Sequence, residues 1–325
     1  MTGPVLEAEG LTVHISTPAG ELPLVRDVSL RVEPGDFVGI VGESGSGKTL
    51  TTRALSGLLP PGARMEASAL RFAGEDLLTL PRRRRDSLLG TRLAMVFQDP
   101  SSSLNPARRI GSQMVEAVVA HERLPRRKAR ELAATRLEQV RIDRPAQRLR
   151  QRPHELSGGQ RQRVMIAMGL MGNPALIIAD EPTTALDVTV QDEVMTLLRT
   201  LNREQGVAVL MVSHNIALLS QVCNRIVVMY AGRVVESGPA AAVVGRPGHP
   251  YAEALMAVVP DLGMEAGREL PTIAGAPPDA LAPPPGCAFA PRCPLAVERC
   301  AERPPLVALG AGHAAACWRA EERSC

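Results

Sequence analysis

Aromatic residues are scarce in this sequence: one Trp, two Tyr and four Phe, 2% of 325 residues. The core must therefore be aliphatic, and with 45% hydrophobic residues the chain can bury one large domain or two. Long apolar runs are missing too. No stretch reaches the length of about 18 residues that a membrane span needs, and no charged-then-apolar start resembles a signal peptide. The expectation is a soluble or peripheral protein of the cytoplasm. A strong charge is also absent, and a net charge of +3 is too small to argue for nucleic acid. Lysine is nearly absent. Of 37 basic residues only Lys48 and Lys128 are lysine, so an Arg-rich chain keeps a compact ammonium at Lys48. Cysteine is unevenly spread. Four of the six crowd between Cys287 and Cys317, which in a reducing compartment suggests metal rather than disulfides.

Lys48 stands in Gly42-Glu43-Ser44-Gly45-Ser46-Gly47-Lys48-Thr49, a match to the phosphate-loop pattern. Residues 37–41 before it read as a buried parallel strand. Residues 49–58 after it, with Leu50, Ala54, Leu55 and Leu58 apolar, read as a helix. Glycines let such a loop turn its N–H groups inward, at a helix N-terminus that favours negative charge. Lys48 would reach the outer phosphates of ATP, and the Thr49 hydroxyl would hold Mg2+. A ligand-free strand-to-helix turn is the bland alternative, disfavoured by the placement of that lysine.

Around this loop, residues 5–13 and 28–32 read as short strands separated by the turn Pro18-Ala19-Gly20. Pro60-Pro61-Gly62 ends the first helix, and residues 70–72 form another strand. Arg82 to Arg85 read as a solvated helix start. Residues 93–97 are a buried strand leading to Gln98, and residues 108–145 are helical, exposing Arg126, Arg127, Lys128 and Arg130. Leu156-Ser157-Gly158-Gly159-Gln160 precedes an apolar helix, with Ser157 a good N-cap at a potential anion site. Residues 176–179 form a buried strand that delivers Asp180 and Glu181 to its C-terminal edge. Adjacent carboxylates there are costly to desolvate unless they serve a function. Asp180 would bind the magnesium ion and Glu181 would orient or deprotonate the attacking water; a structural ion pair is the alternative. Thr184-Ala185-Leu186-Asp187 follows. The strand 207–212 ends at Ser213-His214, and ligand sites in parallel α/β sheets lie at that edge.

Phosphate loop, Gln98, Leu-Ser-Gly-Gly-Gln, Asp-Glu and Ser-His, in that order, resemble the ATP-binding cassette (ABC) ATPases across residues 1–240. The resemblance implies an α/β fold: a P-loop nucleotide-binding domain with a RecA-like core, an antiparallel β subdomain and a helical subdomain at about 100–165. It implies two cassettes sandwiching two ATP molecules head to tail. Gly42 to Thr49, with Leu50, would bind ATP; Gln98 would sense magnesium and water, and His214 would hold the γ-phosphate. Ser157, Gly158, Gly159, Gln160 and Asp187 would act in trans on the partner's ATP. One departure is evident. These ATPases stack adenine on an aromatic residue upstream of the loop, but no aromatic precedes Phe37, and Ile15 beside His14 occupies the matching place.

The run Phe97-Gln98-Asp99-Pro100-Ser101-Ser102-Ser103-Leu104-Asn105-Pro106 resembles the oligopeptide and dipeptide importer ATPases, including nickel-peptide relatives. So does Gly248-His249-Pro250-Tyr251 leading into a short helix at 252–259. Residues 164–168 and 179–187 are more similar to the D-type subunit than to the F-type. The resemblance implies a peripheral subunit on the cytoplasmic face of the inner membrane. Its partners would be a second, F-type ATPase in a heterodimer, two transmembrane permeases and an extracytoplasmic peptide-binding protein, with no nucleic acid. An exporter ATPase is one alternative, and a cassette acting on nucleic acid or ribosomes is another. The single cassette, with no heptad repeat between Lys48 and Ser157, argues against the last.

The cassette is expected to span 1–259. From 260 to 286 Pro, Ala and Gly dominate, which reads as an extended linker. The segment 287–325 carries Cys287, Cys293, Cys300 and Cys317, spaced more widely than in the usual zinc knuckle. Four thiolates can also hold an iron–sulfur cluster. The matching tail of the peptide-importer ATPases carries a 4Fe–4S cluster in some members; zinc and free or disulfide-bonded thiols are the alternatives, and His313 could substitute for one ligand.

Overall fold

Strands and helices alternate along most of the chain, and two patterns of burial distinguish the strands. The computed structural model describes residues 3–18, 20–184, 187–258, 272–280, 282–310 and 312–323. In chain order the strands are β1 (Leu6–Thr17), β2 (Gly20–Val32), β3 (Phe37–Val41), β4 (Ala63–Glu66), β5 (Ala69–Phe72), β6 (Glu75–Asp76), β7 (Leu93–Val96), β8 (Leu176–Asp180), β9 (Ala208–Ser213), β10 (Arg225–Tyr230), β11 (Arg233–Pro239), β12 (Val307–Gly310) and β13 (His313–Ala315). The chain forms two compact units, one of residues 1–7, 31–36 and 71–211, the other of residues 8–30, 37–70 and 212–325.

In the first unit β7 and β8 run parallel, from Leu93 opposite Leu176 to Val96 opposite Ala179. Every residue of β8 is buried, the signature of a strand covered on both faces. Helices at Arg82–Arg92, Ile110–Met114, Glu116–His121, Arg126–Gln139 and Gly158–Gly169 belong to this unit. Helix Arg126–Gln139 packs on Gly158–Gly169 and buries Ala129, Ala133 and Leu137 along one face. Its Arg126, Arg127, Lys128 and Arg130 are exposed, as a solvated face should be. The helical stretch expected at 108–145 is divided. Arg123 adopts a left-handed φ of 55° ahead of Pro125, the N-cap of Arg126–Gln139, and Arg144 one of 53° ahead of Pro145, the first residue of Pro145–Arg148.

In the second unit the order β3-β10-β11-β13-β12 is parallel between its first two strands and antiparallel after that. The final pair comes from the tail, where Glu236 and Ser237 of β11 stand opposite Ala315 and Ala314. β1 pairs antiparallel with β4, from Thr12 opposite Glu66 to Ile15 opposite Ala63. β1 and β2 run further toward their turn than residue pattern suggests. Pairing carries β1 through a polar end, and the Ser16 N–H donates to the Gly62 carbonyl at 2.9 Å.

The short helix expected at 252–259 is Pro250–Ala257. Residues 260–271 and Leu281 of the expected linker lie outside the described residues, as do Ala19, Ala185, Leu186, Val259 and Cys325. The described part of 272–286 contains no helix or strand. Among the described residues no helix is long and apolar enough to cross a membrane.

Candidate nucleotide site

The phosphate loop begins where β3, buried at all five positions, ends at Val41. Gly42 is required by packing: a Cβ there would lie 2.2 Å from the Met229 carbonyl oxygen and 2.7 Å from Ser46 Oγ. Ser44 and Gly45 are exposed at the tip, and Gly47, at φ 98°, starts the helix Lys48–Leu55. That helix has no side-chain cap, so its first N–H groups face the loop without one. Lys48 is 5% exposed and donates from Nζ to the Gly42 carbonyl at 2.7 Å and the Glu43 carbonyl at 3.0 Å. Ser46 Oγ is buried without a hydrogen-bond partner. A cradle that a single methyl would fill, an uncapped helix start, a buried ammonium and an orphaned hydroxyl together fit phosphate oxygens. Thr49, Leu50 and Ile15 are partly buried, and His214 is exposed just after β9.

Behind the loop lies a group of side chains that the residue pattern does not announce. The Glu43 N–H donates to Tyr251 Oη at 2.7 Å, and the Glu43 carboxylate takes a two-point ion pair from Arg292. Tyr230, Tyr251 and Phe289 pack together there, with ring centroids 4.5–5.4 Å apart. Burial pushes both tyrosine hydroxyls above their ordinary pKa, so they remain protonated; Tyr251 Oη accepts from the Glu43 N–H and Tyr230 Oη from Arg292 Nη1. The only hint in the sequence is that three of seven aromatic residues fall at 230, 251 and 289.

The first unit gathers the carboxylates. Asp180 ends β8 and is 5% exposed. Glu181 follows in a left-handed conformation, φ 47°, which turns its side chain away from the strand. Its Oε2 accepts from Gln98 Nε2 at 3.1 Å and from Thr184 Oγ1 at 3.0 Å. Gln98 and Glu181 were both singled out from the sequence; Thr184 was not. The Ser157 Oγ accepts from the Gln160 N–H at 3.3 Å while Gln160 Oε1 accepts from the Ser157 N–H at 3.1 Å, a closed capping box. Gly158 opens the helix, and a Cβ on Gly159 would meet Val190 Cγ1 at 2.6 Å. Asp187 Oδ1 caps the helix Val188–Gln205 through the Val190 N–H at 3.0 Å. Within one chain, then, Ser157 and Asp187 each cap their own helix.

Cys287, Cys293, Cys300 and Cys317 are not in disulfides, and all four line one small cavity with His249, Phe289, Trp318 and Arg319. Burial raises the Cys287 pKa, against N–H groups of Phe289 and Ala290 that favour its thiolate. Among the described residues no group of three or more His, Cys, Asp or Glu is arranged to hold a metal ion. His313 is engaged elsewhere, its Nε2 2.7 Å from Glu236 Oε1.

The family model described as "ABC transporter" matches residues 25–184, and that described as "Oligopeptide/dipeptide transporter, C-terminal region" matches residues 235–300. The chain is 45% identical to the oligopeptide transport ATP-binding protein OppD of Salmonella typhimurium, over 98% of this chain and 94% of that one. It is 44% identical to the protein of the same name from Escherichia coli, with the same coverage. Among solved structures, a post-hydrolysis dimer of the ATP-binding cassette MJ0796 bound to ADP and Pi aligns with a TM-score of 0.64 at 26% identity, covering 72% of this chain and 98% of that one. Cassette fold, phosphate loop and near full-length relatives agree: the chain belongs to the ATP-binding proteins of the ABC transporter family, in its oligopeptide/dipeptide transporter branch.

Proposed function

We propose that this chain is the ATP-hydrolysing subunit of an importer of oligopeptides or dipeptides. The observation that carries the ATPase reading is the Gly42–Thr49 cradle, with its buried lysine and uncapped helix start. The peptide cargo rests on the names of the relatives and on the match of the C-terminal region. The reaction is ATP plus water to ADP and phosphate. Lys48 takes the outer phosphates, while Thr49, Gln98 and Asp180 serve the magnesium ion. Glu181, steadied by Gln98 and Thr184, orients the attacking water or accepts its proton, and His214 holds the γ-phosphate. Ile15 stands in for the missing aromatic beside adenine. Ser157 to Gln160 and Asp187 act on the ATP of a second, F-type cassette, trading their caps for phosphate contacts.

The cassette of 1–259, the linker of 260–286 and the tail of 287–325 form the working parts. Two membrane permeases and an extracytoplasmic peptide-binding protein complete the assembly, with this chain on the cytoplasmic face. The four thiols around one cavity suit an iron–sulfur cluster in donor type and number. Such a cluster would clamp the tail, and anaerobically purified protein would be brown. A colourless sample with stoichiometric zinc would overturn the cluster. The function is tested by a mild-detergent pull-down of the tagged chain from native membranes, read by mass spectrometry. Two multi-span proteins, a second cassette and an extracytoplasmic binding protein are expected. Recovery with ribosomes or DNA and no membrane partner would overturn the importer reading.

A further inference from the structure

Arg292 lies in the cysteine-bearing segment, directly before Cys293, yet its side chain reaches the second residue of the phosphate loop. All five of its N–H donors have acceptors. Nη1 donates to Glu43 Oε2 at 2.6 Å and Tyr230 Oη at 3.2 Å. Nη2 donates to Glu43 Oε1 at 3.0 Å and the Ile273 carbonyl at 3.2 Å, and Nε to the Ala274 carbonyl at 2.8 Å. The side chain is 4% exposed and that of Glu43 24%. An arginine with every donor used cannot swing without losing several charge-assisted bonds at once.

Glu43 is gripped on its other sides as well. Its N–H is held by Tyr251 Oη and its carbonyl accepts from Lys48 Nζ, the ammonium meant for phosphate. A carboxylate beside an anion site repels phosphate unless a cation neutralises it, and Arg292 is the cation in contact. We infer that Arg292 is a positioning residue for the phosphate loop: through Glu43 it fixes the loop's entry and cancels the charge that would oppose ATP. The tail thereby takes part in ATP binding. This rests on the reading of Gly42–Thr49 as the ATP site.

The test is the affinity of the full chain for Mg–ATP by titration calorimetry, below the unfolding temperature of each variant. R292A should weaken binding by about tenfold, the range expected for a charged hydrogen-bonded pair. R292K keeps the charge but not the fork, and should weaken it by about threefold. Adding E43Q to R292A should recover at least about threefold, because the repelling carboxylate is gone. A packing role alone would lower the unfolding temperature and leave both the affinity and the E43Q rescue at zero effect. R292A binding within about twofold of the unaltered chain, or an absent rescue, would overturn the inference; should R292A not fold, parent-like affinity in R292K would do so. Failure of the unaltered chain to bind ATP would remove the underlying reading instead.

Discussion

The helices Lys48–Leu55 and Gly158–Gly169 both open on glycine-containing turns, but their first turns are satisfied in opposite ways. The first has no side-chain cap and faces a cradle with a buried lysine and an unpartnered Ser46 hydroxyl. The second closes a capping box between Ser157 and Gln160. A third helix, Pro250–Ala257, is capped by its own His249, whose Nδ1 accepts from the Tyr251 N–H, while the neighbouring Glu236 accepts from the Gly248 and His249 N–H groups just before it. The orphan donors of a helix start need acceptors in every case. What differs is the source of the acceptor: the second helix is capped by its own Ser157, the third by its own His249 with Glu236 of an adjacent strand holding the two N–H groups before it, and the first has no side-chain cap. A helix that caps itself leaves fewer of its first N–H groups open to an anion.

The largest effect tests whether the chemistry lies with the carboxylate rather than with the helix starts. Glu181→Gln should cut ATP turnover by about 100-fold or more while ATP affinity is kept. Near-parent turnover would take Glu181 out of the reaction. Next, Gly42→Ala drives a methyl against the Met229 carbonyl and should weaken ATP binding by about 5- to 150-fold, the roughly 1–3 kcal/mol of an overpacked site. Unchanged affinity would show that the cradle's shape is not what binds. Ser157→Ala removes the self-made cap and should cost about 1 kcal/mol in urea unfolding. A neutral result would mean that the box contributes nothing and the two helices are alike.

The smallest effect concerns the third helix and is read as a slope. Burial raises the Glu236 pKa from its ordinary 4.5, against the lowering by the Gly248 N–H, His313 and the His249 N–H. The folded chain therefore holds a proton that the unfolded chain releases above about pH 4.5. Stability from this group is complete below that pH and is lost as pH rises through the folded value. Glu236→Gln cannot ionise, so its unfolding midpoint should rise relative to the parent as pH is raised from about 4 upward. Parallel midpoint curves would deny the carboxylate this role.

Local pattern made much of the site legible. The strand before Gly42, the Ser157 cap, the buried strand ending at Asp180 and the exposed basic helix all follow from period, capping chemistry and burial within a short window. The extent of β1 and β2 was not legible, because backbone pairing continued beyond the apolar alternation. Nor was the division of residues 108–145, where two left-handed arginines precede prolines. Thr184 was passed over because its hydroxyl matters only once Glu181 turns back toward it.

By itself the sequence determined the chemistry on offer: a lysine where phosphate demands one, paired carboxylates after an apolar strand, four thiols in the tail. These depend on residue type and near spacing, which the chain carries without folding. Only the tertiary structure decided that β12 and β13 extend the second unit's strands, that Glu236 meets His313, and that Arg292 closes on Glu43. Arg292 is one of many arginines until folding brings distant backbone together. Desolvation then makes the arginine that pairs with Glu43, and has all five donors engaged, different from the rest.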